Sequence, residues 1–174
     1  MAGIGALVAR IQETQDSFTA YAPNENKAIV HKGPQRVQLN FGRPVPFSLR
    51  DFSSLMRGRF HEVFGAAEGL NPRALPNGDI AFTLSGGILP GMLELRPDGL
   101  PVRWSAEKGW VMDITYDDGN PPLPYKFKLT HPDGYSAILL VKDRQKPNAA
   151  FRDDQLVLEL PAGTIIEPIK KGGN

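Results

Sequence analysis

One recurring phrase constrains this chain more than any other feature: a strand-length run, then a glycine turn pair, then another run. Residues 79–85 (Asp-Ile-Ala-Phe-Thr-Leu-Ser) follow Asn77-Gly78, and residues 91–96 reach Asp98-Gly99, after which 100–105 begin at once. Residues 110–116 lie between Lys108-Gly109 and Asp118-Gly119; residues 125–131 run to Asp133-Gly134, from which 135–142 emerge. Asn-Gly and Asp-Gly tolerate the positive φ angles of tight hairpin turns. Repeated between short runs, they predict a meander of neighbouring antiparallel strands. Glycine (18) and proline (16) are spread along the chain rather than pooled in a linker, so the expectation is one β domain over residues 1–174. A chain of this length buries ~70% of its unfolded surface and needs no disulfide or metal to hold it together.

Alternation within the runs supports strands with one apolar and one wet face. Trp110, Met112, Ile114 and Tyr116 fall on one side, with Asp113 and Thr115 on the other. Tyr125, Phe127 and Leu129 alternate with Lys126, Lys128 and Thr130, and Leu156, Leu158 and Leu160 alternate around Glu159. Residues 7–13, 17–22 and 27–32 provide three further strands with less regular patterning.

A single helix interrupts the β pattern. Ser48-Leu-Arg-Asp51 has the form of a capping box, with Asp51 where Glu or Gln is more usual. Leu49, Phe52, Leu55 and Met56 then make one helical stripe, Gly58 is the expected stop, and Phe60, Val63 and Phe64 suggest a further short helical turn before Gly65. The stripe must lie on something, and the apolar face of the sheet is the candidate. The expected architecture is therefore mainly β: a curved antiparallel sheet, or incomplete β-barrel, under a helical lid. A bent sheet beneath one thin helical layer can leave an apolar cavity suited to an apolar ligand.

Other chemistries find no support in the residues. The chain has no cysteine, which excludes a disulfide scaffold, a thiol nucleophile and Cys-ligated metal. His31, His61 and His131 belong to three different elements and lack metal-ligand spacing. Ser85-Gly-Gly has no Gly-x-Ser-x-Gly frame, and neither Gly86-Gly87 nor Gly172-Gly173 precedes a helix with Lys-Ser/Thr. Twenty basic residues against nineteen acidic ones, interspersed, form no concentrated basic face for nucleic acid. No run approaches the ~20 apolar residues of a membrane span. The expectation is a binding protein without cofactor or metal, and not an enzyme.

Several phrases resemble the bacterial lipoprotein-localisation family (LolA/LolB-like), closest to its outer-membrane lipoprotein receptor branch. They are Gly3-Ile4-Gly5-Ala6-Leu7; Phe18-Thr19-Ala20-Tyr21 with residues 28–33; the helix of residues 48–58; and Leu100-Pro-Val-Arg-Trp104 with Gly109-Trp110, Tyr116 and residues 123–129. The resemblance implies an incomplete barrel closed by helices, with a hydrophobic cavity for the acyl chains of lipids or lipoproteins. It places Phe52, Leu55, Met56, Trp104, Trp110, Met112 and Phe127 in the walls and lid, and Ile4 where the family exposes an apolar residue used in delivery to the membrane. It further implies peripheral membrane contact and a location in the bacterial periplasm or on the inner face of the outer membrane. The match starts at the turn of Gly3–Gly5, and the strands and helix that precede that turn in the family are expected to be truncated from this chain, missing, or supplied by a partner. The alternative expectation is a protein-interaction or assembly module of the cell envelope that uses an exposed strand edge or residues 3–7 to dock a partner.

Overall fold

The computed structural model describes residues 10–14, 16–33, 37, 45–65, 71–85, 89–107, 109–145, 148–152 and 157–169. The chain is mainly β and has two open sheets with few helices. Two compact units emerge: Met1–Val37 with Gln145–Asn174, and Gln38–Arg144.

In the first unit, β1 (Arg10–Glu13), β2 (Ser17–Ala22), β3 (Lys27–Lys32) and β11 (Ile165–Pro168) form a sheet in the order β1-β2-β3-β11. β1, β2 and β3 pair antiparallel, as the sequence predicts, while β11 joins β3 in parallel. Asn26, in the left-handed conformation at φ 46°, fastens β11. Its carbonyl accepts from Ile165 N–H at 3.0 Å, and its side chain donates to the Gly163 carbonyl at 3.2 Å. Lys27 adds an ion pair with Glu167 at 2.8 Å. The expected strand around Leu158 and Leu160 does not form; Leu158 instead donates its N–H to the Gln12 side chain at 3.0 Å. Leu156 lies outside the described residues, as do residues 7–9 of the first expected strand. Alternation misled here because β11 is recruited through its backbone: none of its side chains is buried.

The second unit carries a seven-stranded sheet in the order β10-β9-β8-β7-β6-β5-β4, antiparallel throughout. Its strands are β4 (Pro72–Ala74), β5 (Ile80–Leu84), β6 (Gly91–Leu95), β7 (Pro101–Ala106), β8 (Val111–Tyr116), β9 (Pro124–Thr130) and β10 (Ser136–Leu140). Apart from β4, this is the meander that the glycine turns predict. Gly91 holds a place that only glycine fits: its φ is 147°, and a Cβ there would meet the Ser105 carbonyl oxygen at 2.1 Å.

Register sorts the side chains into faces. Cross-strand partners share a face, so Phe82, Leu93, Trp104, Met112, Leu129 and Ala137 make one row across the sheet. Ile114, Phe127 and Leu139 make the next. On the opposite face the matching row reads Glu94, Arg103, Asp113, Lys128 and Ile138. One expectation fails at a bulge. Thr115 pairs with Lys126 but Tyr116 pairs with Pro124, so Tyr125 is the extra residue and is 37% exposed rather than inward.

The helix α1 (Leu49–Met56) lies on the apolar face, where Phe52 meets Phe127 of β9, and the single turn α2 (His61–Phe64) packs beside α1. The capping box is present with Asp51 as its third-position acid. Asp51 accepts from the Ser48 N–H at 2.6 Å and the Ser48 hydroxyl at 2.7 Å, and its own N–H donates to Ser48 Oγ at 3.2 Å. At the other end, Gly58 N–H donates to the Leu55 carbonyl at 3.0 Å and Arg59 N–H to the Ser54 carbonyl at 2.9 Å. That pair of bonds is a Schellman stop, with Gly58 at φ 72° in the position that favours glycine.

Candidate apolar site

The residues between α1 and the sheet form an aromatic layer. Phe52 on α1 meets Phe127 on β9 edge to face, with ring centroids 6.5 Å apart. Phe47, just before the helix, lies 5.3 Å from Phe52 and 5.1 Å from Trp104 on β7. Such tilted and T-shaped pairs add about 0.5–1.5 kcal/mol each beyond area burial. Phe47, Leu55, Trp104, Met112 and Phe127 have no exposed surface, and Phe52 keeps 3%.

Of the residues that sequence reasoning selected, Phe52, Leu55, Trp104, Met112 and Phe127 are thus buried in this layer or in the sheet rows beneath it. Met56, at the last turn of α1, is half-buried. Trp110 is buried one row beyond Met112, where its ring meets His131 at 5.0 Å. Ile4 lies outside the described residues. Phe47 and Val45 are fully buried and were missed, because they precede the helix and belong to no periodic run.

Polar groups tie the helical layer down at its margins. The Ser54 hydroxyl donates to Glu62 at 2.6 Å and so joins α1 to α2. That hydrogen bond, with Arg59 beside it at 3.3 Å, holds the Glu62 carboxyl below its ordinary value. Arg144 donates to the Met56 carbonyl at 3.3 Å, one of the orphan acceptors at a helix C-terminus, and also to the Pro124 carbonyl at the start of β9. Its guanidinium stands 3.6 Å from Asp117, whose carboxyl is lowered chiefly by the Leu123 N–H at 2.8 Å. Sequence reasoning missed Arg144, since nothing local to residue 144 indicates a helix end 88 residues away.

Inside the layer one polar atom stands out. Trp104 Nε1 is buried and has no hydrogen-bond partner among the described residues. A buried donor left in this state costs ~1–3 kcal/mol, and an acceptor placed beside it recovers part of that cost. Tyr116, whose ring meets Phe60 at 6.3 Å, donates to the Pro101 carbonyl at 2.6 Å.

Among the described residues no cluster of three or more His, Asp or Glu is placed to hold a metal, and no helix is long and apolar enough to cross a membrane. The layer's chemistry is that of apolar contact with one spare donor. No protein-family model matches this chain, and no curated protein matches it.

Proposed function

We propose that the second unit binds an acyl chain of a lipid or lipoprotein between the inner face of its sheet and α1. The reading extends to a carrier or receptor role in outer-membrane lipoprotein sorting, within an incomplete barrel of the lipoprotein-localisation type. The observation that carries it is a continuous apolar face, from Phe82 to Ala137, on which lies a helix of only eight residues with a single further turn beside it. An acyl chain replaces apolar contact with apolar contact when it displaces Phe47 and Phe52, so the face need not be exposed to water at any stage. About ten methylenes at ~0.8 kcal/mol each supply ~8 kcal/mol, which sets micromolar affinity as the upper bound from which the cost of moving the helix is subtracted. The unpartnered Trp104 N–H offers a donor to an ester carbonyl of the ligand. Ile4 would be the membrane-facing residue in delivery, by the same resemblance.

The test is a titration of the whole protein with a fatty-acyl probe bearing an environment-sensitive fluorophore, followed by competition with a diacylated lipopeptide. Saturable binding that the lipopeptide displaces supports the reading and calls for a delivery assay on Ile4→Glu. A folded protein that binds neither probe nor lipopeptide refutes it.

A further inference from the structure

The two edges of the seven-stranded sheet are finished differently. β4 is three residues long and opens on Pro72. Shortness and proline both stop an edge from recruiting another strand. β10 is five residues long, Ser-Ala-Ile-Leu-Leu, and has neither device.

The backbone of β10 is directed outward where its apolar side chains are exposed. Val141 N–H donates to the Tyr125 carbonyl at 2.8 Å, and the Tyr135 carbonyl accepts from His131 N–H at 2.9 Å. Both pairs continue the β9–β10 register, so the odd-numbered residues turn their peptide groups toward β9. Ser136, Ile138 and Leu140 turn theirs to the open side, which no described strand pairs. Ile138 and Leu140 are also 58% and 51% exposed, on the polar face of the sheet.

Charge identifies what fits there. Along that face the row Glu94, Arg103, Asp113, Lys128 alternates in sign and then meets Ile138. The Asp113 carboxylate is held by Arg103 at 2.7 Å. Neither Lys128 nor Lys126, the neighbour of Leu140, holds an ion pair among the described residues, and the same is true of exposed Lys142. Lysine stems lie along apolar surface and carry their heads outward, so both β9 lysines can reach across Ile138 and Leu140.

We propose that β10 is a docking edge for an extended acidic segment of a partner protein, which adds a further strand to the sheet. Main-chain bonds to Ser136, Ile138 and Leu140 hold the segment, and its carboxylates meet Lys126, Lys128 and Lys142. A second copy of this chain fits less well, because it brings the same lysines to the seam.

The experiment measures fluorescence anisotropy of a labelled octapeptide alternating glutamate and valine, with the lysine–valine peptide as control. The glutamate peptide binds saturably and weakens as salt is raised; the lysine peptide does not bind. Lys126→Glu with Lys128→Glu weakens binding about tenfold, the combined effect of two exposed ion pairs. Ile138→Pro abolishes it: that N–H faces away from β9, so the ladder within the sheet keeps its bonds, which circular dichroism checks. Equal binding of both peptides overturns the proposal, as does unchanged binding by Ile138→Pro. A concentration-dependent dimer lost in Ile138→Pro, with no peptide binding, overturns it in favour of self-association.

Discussion

Replacing Asp51 by alanine should loosen α1 while leaving the sheet intact. Asp51 Oδ2 accepts two donors from Ser48, its N–H at 2.6 Å and its hydroxyl at 2.7 Å, and Ser48 has no exposed surface. In the alanine variant the hydroxyl can rotate, but the buried N–H has lost its acceptor, at a cost of ~1–3 kcal/mol. Removing a negative charge from the first turn subtracts a further ~0.3–1 kcal/mol. The total is about 3 kcal/mol, against a typical domain stability of ~5–15 kcal/mol. Asp51→Asn retains a carbonyl acceptor and should lose about 1 kcal/mol. Urea unfolding followed by tryptophan fluorescence reads the right unit, since Trp104 and Trp110 both lie in the second. With m near 1–3 kcal/mol/M, the alanine variant should unfold at a midpoint about 1–3 M lower. The acyl-binding reading adds that this variant takes up the fatty-acyl probe faster, because α1 is easier to displace. An alanine variant within ~0.5 kcal/mol of wild-type stability would show that the capping box does not hold this helix, and an asparagine variant as damaged as alanine would refute the acceptor as the main contribution.

Two further outcomes follow from the same layer. Phe127→Ala should cost ~3–5 kcal/mol in urea unfolding, since the ring has no exposed surface and touches Phe52, whereas Lys126→Ala should stay within ~0.5 kcal/mol. Burial holds the Tyr116 phenol protonated above its ordinary value, so its contribution to stability is complete below about pH 10 and falls as pH rises toward the folded-state value; phenolate absorbance should contain a late-titrating component that Tyr116→Phe removes.

How much was legible depends on whether the deciding interaction was local. The capping box, the Gly58 stop and the hairpin turns at Gly78, Gly99, Gly109 and Gly134 are each closed by groups within six residues of each other, and each forms where the sequence places it. At Asp118-Gly119 the tight turn does not form, and the connection runs from Asp117 to Leu123 without a positive φ at Gly119. The period-2 pattern also identified the buried positions of Met112, Phe127 and Leu129, whereas Trp104 was selected through the family resemblance and not by alternation. Tyr125 was misread because a bulge is a property of two strands. Its trace in the sequence is Pro124, which has no N–H for the ladder and sits at the first residue of β9, as strand prolines do. Strand β11 (Ile-Ile-Glu-Pro) shows no period-2 alternation and buries none of its side chains, and its anchor, Asn26, lies more than a hundred residues earlier. Arg144 and Phe47 were hidden for the same reason: each acts on residues that only the folded chain brings near.

The period of two also keeps the two proposed activities apart. Since successive residues face opposite ways, the acyl face and the lysine-bearing face share strands β8 to β10 but no side chain. A one-residue slip of β9 would exchange the faces and bury Lys126 and Lys128, at a cost the core could not meet. The bulge at Tyr125 confines its extra residue to the end of β9 and leaves Phe127 and Leu129 in register with Ile114 and Met112. Perturbations should therefore dissociate. Asp51→Ala alters acyl-probe uptake and leaves glutamate-peptide binding at β10 unchanged, while Lys126→Glu with Lys128→Glu does the reverse. If either variant changed both, the two faces would be coupled through the sheet, and neither site could be assigned to its own residues.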